Sequence, residues 1–528
     1  MISRLFYLMI ICVLLFTVDG LGQNTWVKTF GGDLDFYRGK SIIPTNDDEF
    51  ILTGFSVPPG NTQFDILVIK LNSTGDTIWK KTFGGSGSEE GSSITLTKDS
   101  GFVLTGSTNS RNGDFSGMNK GYNDIFVMKL NSSGDIVWKK TFGGSLDENG
   151  NSITTTKDGG FILTGKTEPV DGDFSQIIGG SDIFVMKLNS SGDIVWKKTF
   201  GGSSDDEGSS ITLTDDGSFV LTGYTWSNDG ELNGSDIIVM KMNSSGDIVW
   251  KKTFGGSDDE KGYSITTTND GGYVLTGETY SNDRDFSGMN KMNGNIFVIK
   301  LDENGDNVWK KTFGGSGDEN GYSITTTSNG EIVLTGWTSS NDGDFSGMNK
   351  GSWIGYWIED IFVLKLNSSG DIVWKKTFGG SSNEWGHSII STSDYGIVVT
   401  GGKYSNDGDF SGMNKGGSDI FVMKLDSNGN LNNTTSINEL SEPTTKLSVH
   451  PNPLSNSTTI SYIVDTPSNV RIELLNTLGQ TIEVLREDYT DIGTYQLPLN
   501  TSTLSSGMYS VRMRSVSMSE VVPVWVVR

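Results

Sequence analysis

Apolar and polar residues alternate along most of this chain in runs of five to eight, rich in β-branched and aromatic side chains. The runs are bounded by Gly, Asn, Asp and Ser, a pattern that predicts short strands joined by tight turns. DGG and SSG between two such runs are hairpin signals, because these residues tolerate positive φ. In DIFVMKL (124–130) both alternating sets are apolar, with Ile125 and Val127 on one face and Phe126, Met128 and Leu130 on the other. A sheet built from such strands must be covered on both faces, and stacked blades do that.

The pattern repeats. A segment reading WKKTFGG, or close to it, begins at Trp26, Trp79, Trp138, Trp196, Trp250, Trp309 and Trp374; six intervals give a mean spacing of 58 residues. Each Trp segment leads through an acidic loop to a strand like SITTT. A KDGG-type turn, FILTG, a long variable loop, DIFVMKL and an NSSG turn follow. The phase of the repeat relative to the chain ends decides the architecture. The first repeat starts on a Trp strand (Trp26 to Gly32), and the last stops after Asp419 to Leu425 without one. The first strand is therefore expected to complete the last blade. The expected fold is all-β: a seven-bladed β-propeller closed by its N-terminal strand.

With the Trp strand outermost, its Lys pairs (Lys139 and Lys140, for example) read as charges that discourage edge-to-edge pairing. The tight DGG and NSSG turns share one face. The acidic inter-blade loops and the long variable loops share the other, which is where a ligand is expected. The inter-blade loops carry Glu89, Glu90, Asp147, Glu148, Asp205, Asp206, Glu207, Asp258, Asp259, Glu260, Asp318, Glu319 and Glu384. Ring symmetry would gather these into a negative rim that attracts cations or basic surfaces, unless they serve only solubility.

The long loops hold the sharpest chemical signal. Asp342, Asp344 and Ser346 place oxygens at i, i+2 and i+4, as in the opening half of a calcium loop. Asp407, Asp409 and Ser411 repeat it, as do Asp283, Asp285 and Ser287, while Asn112, Asp114 and Ser116 form a weaker version. No bidentate Glu follows at the twelfth position, and NDG is also a common self-bonding turn. Ca2+ is thus the one cofactor the sequence suggests. Catalysis is poorly supported. His387 occupies a slot filled elsewhere by Lys40, Ser92, Asn151, Ser209, Tyr263 and Tyr322, and a lone His makes no triad. The insertion SWIGYWIE (352–359) adds Trp353, Tyr356 and Trp357, aromatics suited to stacking on sugar rings. With Glu384 and His387 they form the expected ligand face.

At the N-terminus, Arg4, an apolar run from Leu5 to Val18, and Gly20 and Gly22 before Gln23 predict a signal peptide over 1–22. No other segment is apolar for long enough to cross a bilayer as a helix. The single cysteine, Cys12, lies in that segment. A net charge of −24 argues against nucleic acid as partner. The propeller is expected over 23–430, a polar linker over 431–446, and a small Ig-like β-sandwich over 447–528.

That last segment resembles a known family. HPNPLSNSTTISY (450–462), VRIELLNTLGQTI (470–482), LSSGMYSVRM (504–513) and the terminal Arg528 are similar to the type A sorting domain of the type IX secretion system. The resemblance implies handling by that machinery and release from, or attachment to, the surface of a gram-negative cell. Pro523 departs from the family's uninterrupted last strand. The repeats likewise resemble the propellers that accompany such tails. The function expected from the residues is a monomeric, non-enzymatic binding or adhesion propeller for a glycan or surface protein. An extracellular polysaccharide hydrolase or lyase is the alternative.

Overall fold

A computed structural model describes residues 24–32, 36–57, 63–168, 171–174, 179–227, 234–290, 293–349, 358–414, 416–431, 447–450, 457–464, 467–477, 480–491, 493–515 and 519–527. The segment expected as signal peptide and residues 432–446 of the expected linker, together with Trp353, Tyr356 and Trp357, lie outside the described residues. The chain divides into two units, 1–433 and 434–528.

The first unit is seven four-stranded antiparallel sheets, each a meander in sequence order. Blade 1 runs through Tyr37–Pro44, Phe50–Ser56, Asp65–Leu71 and Thr77–Phe83. Blades 2 to 6 begin at Glu89, Glu148, Asp206, Glu260 and Glu319. Blade 7 has only three strands of its own, Glu384–Ser391, Ile397–Lys403 and Asp419–Leu425. Its fourth is Trp26–Phe30, paired in the register Trp26 with Lys424 through Phe30 with Ile420. The ring is closed by a strand from the opposite end of the sequence, as the phase of the repeats requires.

The first strand of every blade touches the first strand of the next, and the seventh touches the first. A circle of hydrogen bonds marks the same closure. Ile94, Ile153, Ile211, Ile265, Ile324, Ile389 and Ile42 donate their backbone N–H groups to the hydroxyls of Ser41, Ser93, Ser152, Ser210, Ser264, Ser323 and Ser388, at 3.2 to 3.4 Å. Between blades the interior is apolar on both sides of each third strand: in blade 2, Ile125, Phe126, Val127 and Met128 are all fully buried. Seven such interfaces replace a single central core.

On the outside, each Trp docks on the following blade. The Trp26 indole N–H donates to the Ser73 carbonyl at 3.0 Å, and Trp79, Trp196, Trp250, Trp309 and Trp374 make the equivalent bond at 3.1 to 3.3 Å. Its ring lies on the glycine of the turn: Gly75 has φ +82°, and a Cβ there would meet Trp26 at 2.6 Å. The edge lysines do more than block pairing. The second Lys of a pair reaches the turn of the next blade, as in Lys252–Asp306 at 2.7 Å, and Lys28 on the unpaired first strand meets Asp76 at 2.8 Å; Lys376 meets Asn430 instead.

In the second unit, Leu447–His450, Ser457–Val464 and Gly493–Asn500 form one sheet. Thr481–Thr490, Ser468–Leu475, Gly507–Arg514 and Ser519–Val526 form the other. Ile460 and Leu499 from the first and Ile472, Val511 and Val524 from the second share one buried core. Within it, Glu473 is held down to about 2; burial opposes ionisation, but Arg512 and Arg471 outweigh it at 2.8 and 3.1 Å. Among the described residues no helix is long and apolar enough to cross a membrane.

Closure by Trp26 has a measurable consequence. Trp26→Ala removes a ring packed on Phe50 at 6.0 Å and leaves a void at the seam where the first strand completes the last blade. Urea unfolding should show a loss of about 3–5 kcal/mol. A loss below about 1 kcal/mol would mean the ring does not depend on that strand.

Candidate functional site

Every innermost strand carries a bulge immediately after a glycine, and the extra residue is Lys40, Ser92, Asn151, Ser209, Tyr263, Tyr322 or His387 in blades 1 to 7. The glycine lets blades approach: a Cβ at Gly91 would lie 2.3 Å from Thr53 Oγ1 of the preceding blade. The bulge re-aims one side chain out of the ladder, and here it aims at the axis. Two residues earlier stand Arg38, Glu90, Asn149, Glu207, Lys261, Asn320 and Trp385. Their cross-strand partners are Phe55, Ser107, Lys166, Tyr224, Glu278, Trp337 and Gly402. These three rings line the channel at the end where the long loops emerge. They differ from blade to blade, while the strands behind them hardly change.

The result is a lopsided mouth. On the side of blades 5 to 7 and 1, Tyr263 and Tyr322 pack with ring centres 5.5 Å apart, and Tyr322 and His387 at 5.1 Å. The Trp337 indole donates to the Tyr322 hydroxyl at 3.2 Å. The Arg38 guanidinium lies 4.6 Å from the Trp385 ring and 5.3 Å from that of Phe36. Phe36 and Phe55 stack at 6.0 Å. Blades 2 to 4 present a polar wall, where Asn151 and Tyr224 both donate to Glu207 at 2.8 Å. The Lys40–Glu90 pair, at 2.7 Å, joins the two halves.

Several of these groups titrate away from their ordinary ranges. Glu278 accepts hydrogen bonds from the Tyr263 hydroxyl and the Asn320 amide, each at 2.7 Å. Burial nevertheless pushes its carboxyl up, with help from Asp259 and Asp318. Burial also raises Glu359, which accepts the Trp385 indole N–H. Burial, reinforced by Lys40 and Arg38, holds His387 well below the usual histidine range, so the ring is neutral. Its Nε2 is buried and has no partner among the described residues.

His387 thus stands in the channel wall, but Glu384 does not face the mouth. It is fully buried, accepting the N–H of Gly380 at 3.0 Å and of Ser405 at 2.8 Å. Glu89, Glu148, Asp206, Glu260 and Glu319 do the same for the glycine four residues earlier. The expected negative rim is therefore half a set of internal latches: a carboxylate is the strongest acceptor available to the bare amides of a glycine turn. Burial pushes Glu148 up to about 8 and Glu319 up to about 7.

The loop carboxylates are latches as well. Asp342 accepts the Ser316 N–H at 2.7 Å and Asp344 that of Gly314 at 3.0 Å. Asp407 and Asp409 take Ser381 and Gly379 at 2.8 and 3.0 Å. Asp283 and Asp285 take Ser257 and Gly255 at 2.9 and 3.2 Å. The phenylalanine between each second Asp and its Ser is buried, as Phe345 is against Phe362 at 5.6 Å, whereas Ser346, Ser411 and Ser287 are exposed. Among the described residues no three His, Cys, Asp or Glu side chains are grouped to hold a metal ion.

Residues 448–526 match the family of secretion system C-terminal sorting domains. The chain is accordingly type IX secretion cargo, delivered to the cell surface or the extracellular space. The regulatory protein FlaEY of Caulobacter vibrioides is 23% identical over 306 residues, which cover 52% of this chain and 30% of that protein. The chain therefore spans less than a third of that relative. Similar solved structures include YCF48 bound to D1 peptide (TM-score 0.40, 8% identity, 76% of this chain and 95% of that one). The β-propeller domain of the trilobed protease from Pyrococcus furiosus gives 0.39 at 8% identity, over 76% and 98%.

Two outcomes follow from the latches. Because the loop carboxylates already hold amides, a chelator should leave the melting temperature unchanged; a drop of more than about 5 °C, restored by calcium, would show that the loops bind the ion. The buried latches also set a pH dependence. An acid whose folded pKa is raised stabilises the fold fully below its unfolded pKa and loses that contribution as pH rises through the folded value. Urea midpoints should therefore fall from about pH 4.5 to about pH 8, and Glu148→Gln should flatten that slope. Midpoints that rise across this interval would contradict the assignment.

Proposed function

We propose that this exported propeller is a non-enzymatic binding protein that holds an extracellular glycan or surface protein in the mouth of its central channel. The observation that carries the reading is the break in sevenfold symmetry. Strands that only stack blades repeat almost unchanged, as DIFVMKL does in blades 2, 3 and 7. The inward positions instead vary from serine to tyrosine to histidine. Packing constraints weaken at a solvated channel, but drift alone favours small polar residues there. Seven aromatic side chains gathered on one side (Phe36, Phe55, Tyr263, Tyr322, Trp337, Trp385 and Tyr404) instead form an amphipathic wall of the kind found at binding hot spots. The sorting tail accounts for delivery, and the propeller for what is delivered.

A screen of glycans and outer-surface proteins against the purified protein tests the reading. A ligand found in this way should lose about 2 kcal/mol, near thirtyfold in affinity, on Trp385→Ala or Arg38→Ala. Tyr395→Ala, in the blade 7 hairpin on the opposite face, should have no effect. A ligand indifferent to both mouth substitutions would place binding elsewhere.

A further inference from the structure

One charged side chain of the mouth is left without a counterpart. In the ring that stands two residues before each bulge, the charged members are Arg38, Glu90, Glu207 and Lys261. Glu90 takes Lys40 at 2.7 Å, Glu207 accepts the Asn151 amide and the Tyr224 hydroxyl at 2.8 Å, and Lys261 approaches Glu278 to 3.8 Å. Arg38 has no hydrogen bond or ion pair among the described residues, and its Nε is buried without an acceptor. Glu359 is close enough for Arg38 to offset part of the burial that raises its carboxyl, but the donor it accepts is the Trp385 indole N–H.

Blade 7 is shaped around this cation. In the ring of cross-strand partners the other six blades carry a side chain, and blade 7 carries Gly402. A Cβ there would touch Arg38 Cγ and Nε at 3.6 Å, so the arginine stem lies against the space a side chain would take. The guanidinium then sits 4.6 Å from the Trp385 ring and 5.3 Å from that of Phe36. Both rings attract it through their faces and leave its N–H groups unused. His387, on the inner strand that touches the one bearing Arg38, adds a second buried nitrogen without a partner, Nε2, where the neutral ring can carry its proton. Unmet nitrogens on two touching strands call for an acceptor, and the charged one calls for an anion.

We propose that the mouth takes the carboxylate of an acidic sugar, a uronic acid residue gripped by the Arg38 guanidinium with its ring against the half-buried Phe36, Trp385 and Tyr404. A carboxylate is planar and matches the guanidinium fork two bonds at a time. Its single charge meets less repulsion from a chain of net charge −24 than a phosphate would. Aromatic rings around the cation favour a rigid ligand with C–H faces over the acidic side chain of a protein, whose flexible stem would have to be immobilised there. The assignment rests on the reading of the mouth as the binding site and names the chemistry taken there.

The probes are methyl β-D-glucuronide and methyl β-D-glucoside, which differ only in the carboxylate, with Nα-acetyl-glutamate amide as the protein-like carboxylate. Each is titrated into the full secreted protein and followed by ligand-observed NMR. The glucuronide should bind with Kd of about 1–10 mM, and the glucoside about tenfold more weakly or worse. Arg38→Gln should weaken glucuronide binding about tenfold. Arg38→Lys, which keeps the charge but not the fork, should recover little of it, and it serves in place of Arg38→Gln if the latter lowers the melting temperature. Tyr395→Ala should change nothing. Equal binding of glucuronide and glucoside, no binding of either, or affinity unchanged by Arg38→Gln overturns the carboxylate assignment. Tighter binding of the glutamate compound than of the glucuronide overturns the sugar and assigns the site to a protein. If a screened ligand still depends on Trp385 and Arg38 yet is not displaced by the glucuronide, the acidic-sugar assignment falls and the mouth stands. If no ligand depends on the mouth, both fall.

Discussion

Everything in the propeller depends on a ring that must close. A blade buries both faces only if it has a neighbour on each side, so an open row of seven would expose two apolar sheets to water. The chain meets this constraint by splitting one blade between its two ends. The Trp26–Phe30 strand pairs with Asp419–Leu425, and the Trp26 indole then docks on blade 1. The same closure brings Ile42 to the hydroxyl of Ser388, completing the circle of seven hydrogen bonds. Without it, each interface would remain locally sound but the last seam would be held by no covalent or ladder connection.

Closure also explains why the acidic residues are where they are. Consecutive blades meet at a fixed angle, and the GG loop between them must turn without side chains to help it. Its amides are satisfied by carboxylates from two directions: Gly315 by Glu319 of the strand that follows, and Gly314 by Asp344 of the long loop. The cost is a set of buried carboxyls, and the raised pKa values of Glu148, Glu260, Glu319 and Glu384 are its signature. What looks like surface charge in the sequence is in large part joinery.

This distinguishes what the sequence makes legible from what it hides. The strand count, the shared blade and the outermost position of the Trp strand follow from periodicity and phase, since each depends on a pattern repeated seven times. The role of Glu384 does not, because an acid at a loop-to-strand boundary has the same letter whether it faces water or a glycine amide. The metal-like spacing of Asp342, Asp344 and Ser346 is real. Yet the first two aim at amides near residue 315, a distance in sequence no local motif encodes. The channel slot that holds His387 was visible as a column of unlike residues. Its partners were not: Glu278 meets Asn320 across 42 positions, and only the blade angle brings them together.

The same reasoning bears on why a binding site would sit at the mouth rather than on the rim of the blades. Outer positions are tied to the ring: Lys28 and Lys252 hold turns of the next blade, and the Trp rings lie on glycines that admit no side chain. A substitution there disturbs a seam. The bulge residues are released from the ladder by one position, and their side chains meet one another and the neighbouring channel-facing residues, as Tyr263 meets Glu278 and Lys40 meets Glu90. Tyr322 can therefore pack on His387, or Tyr263 reach Glu278, without altering any strand pairing. Variation confined to positions free of the closure constraint is how a repetitive scaffold acquires an individual surface, and in this protein those positions all face the channel.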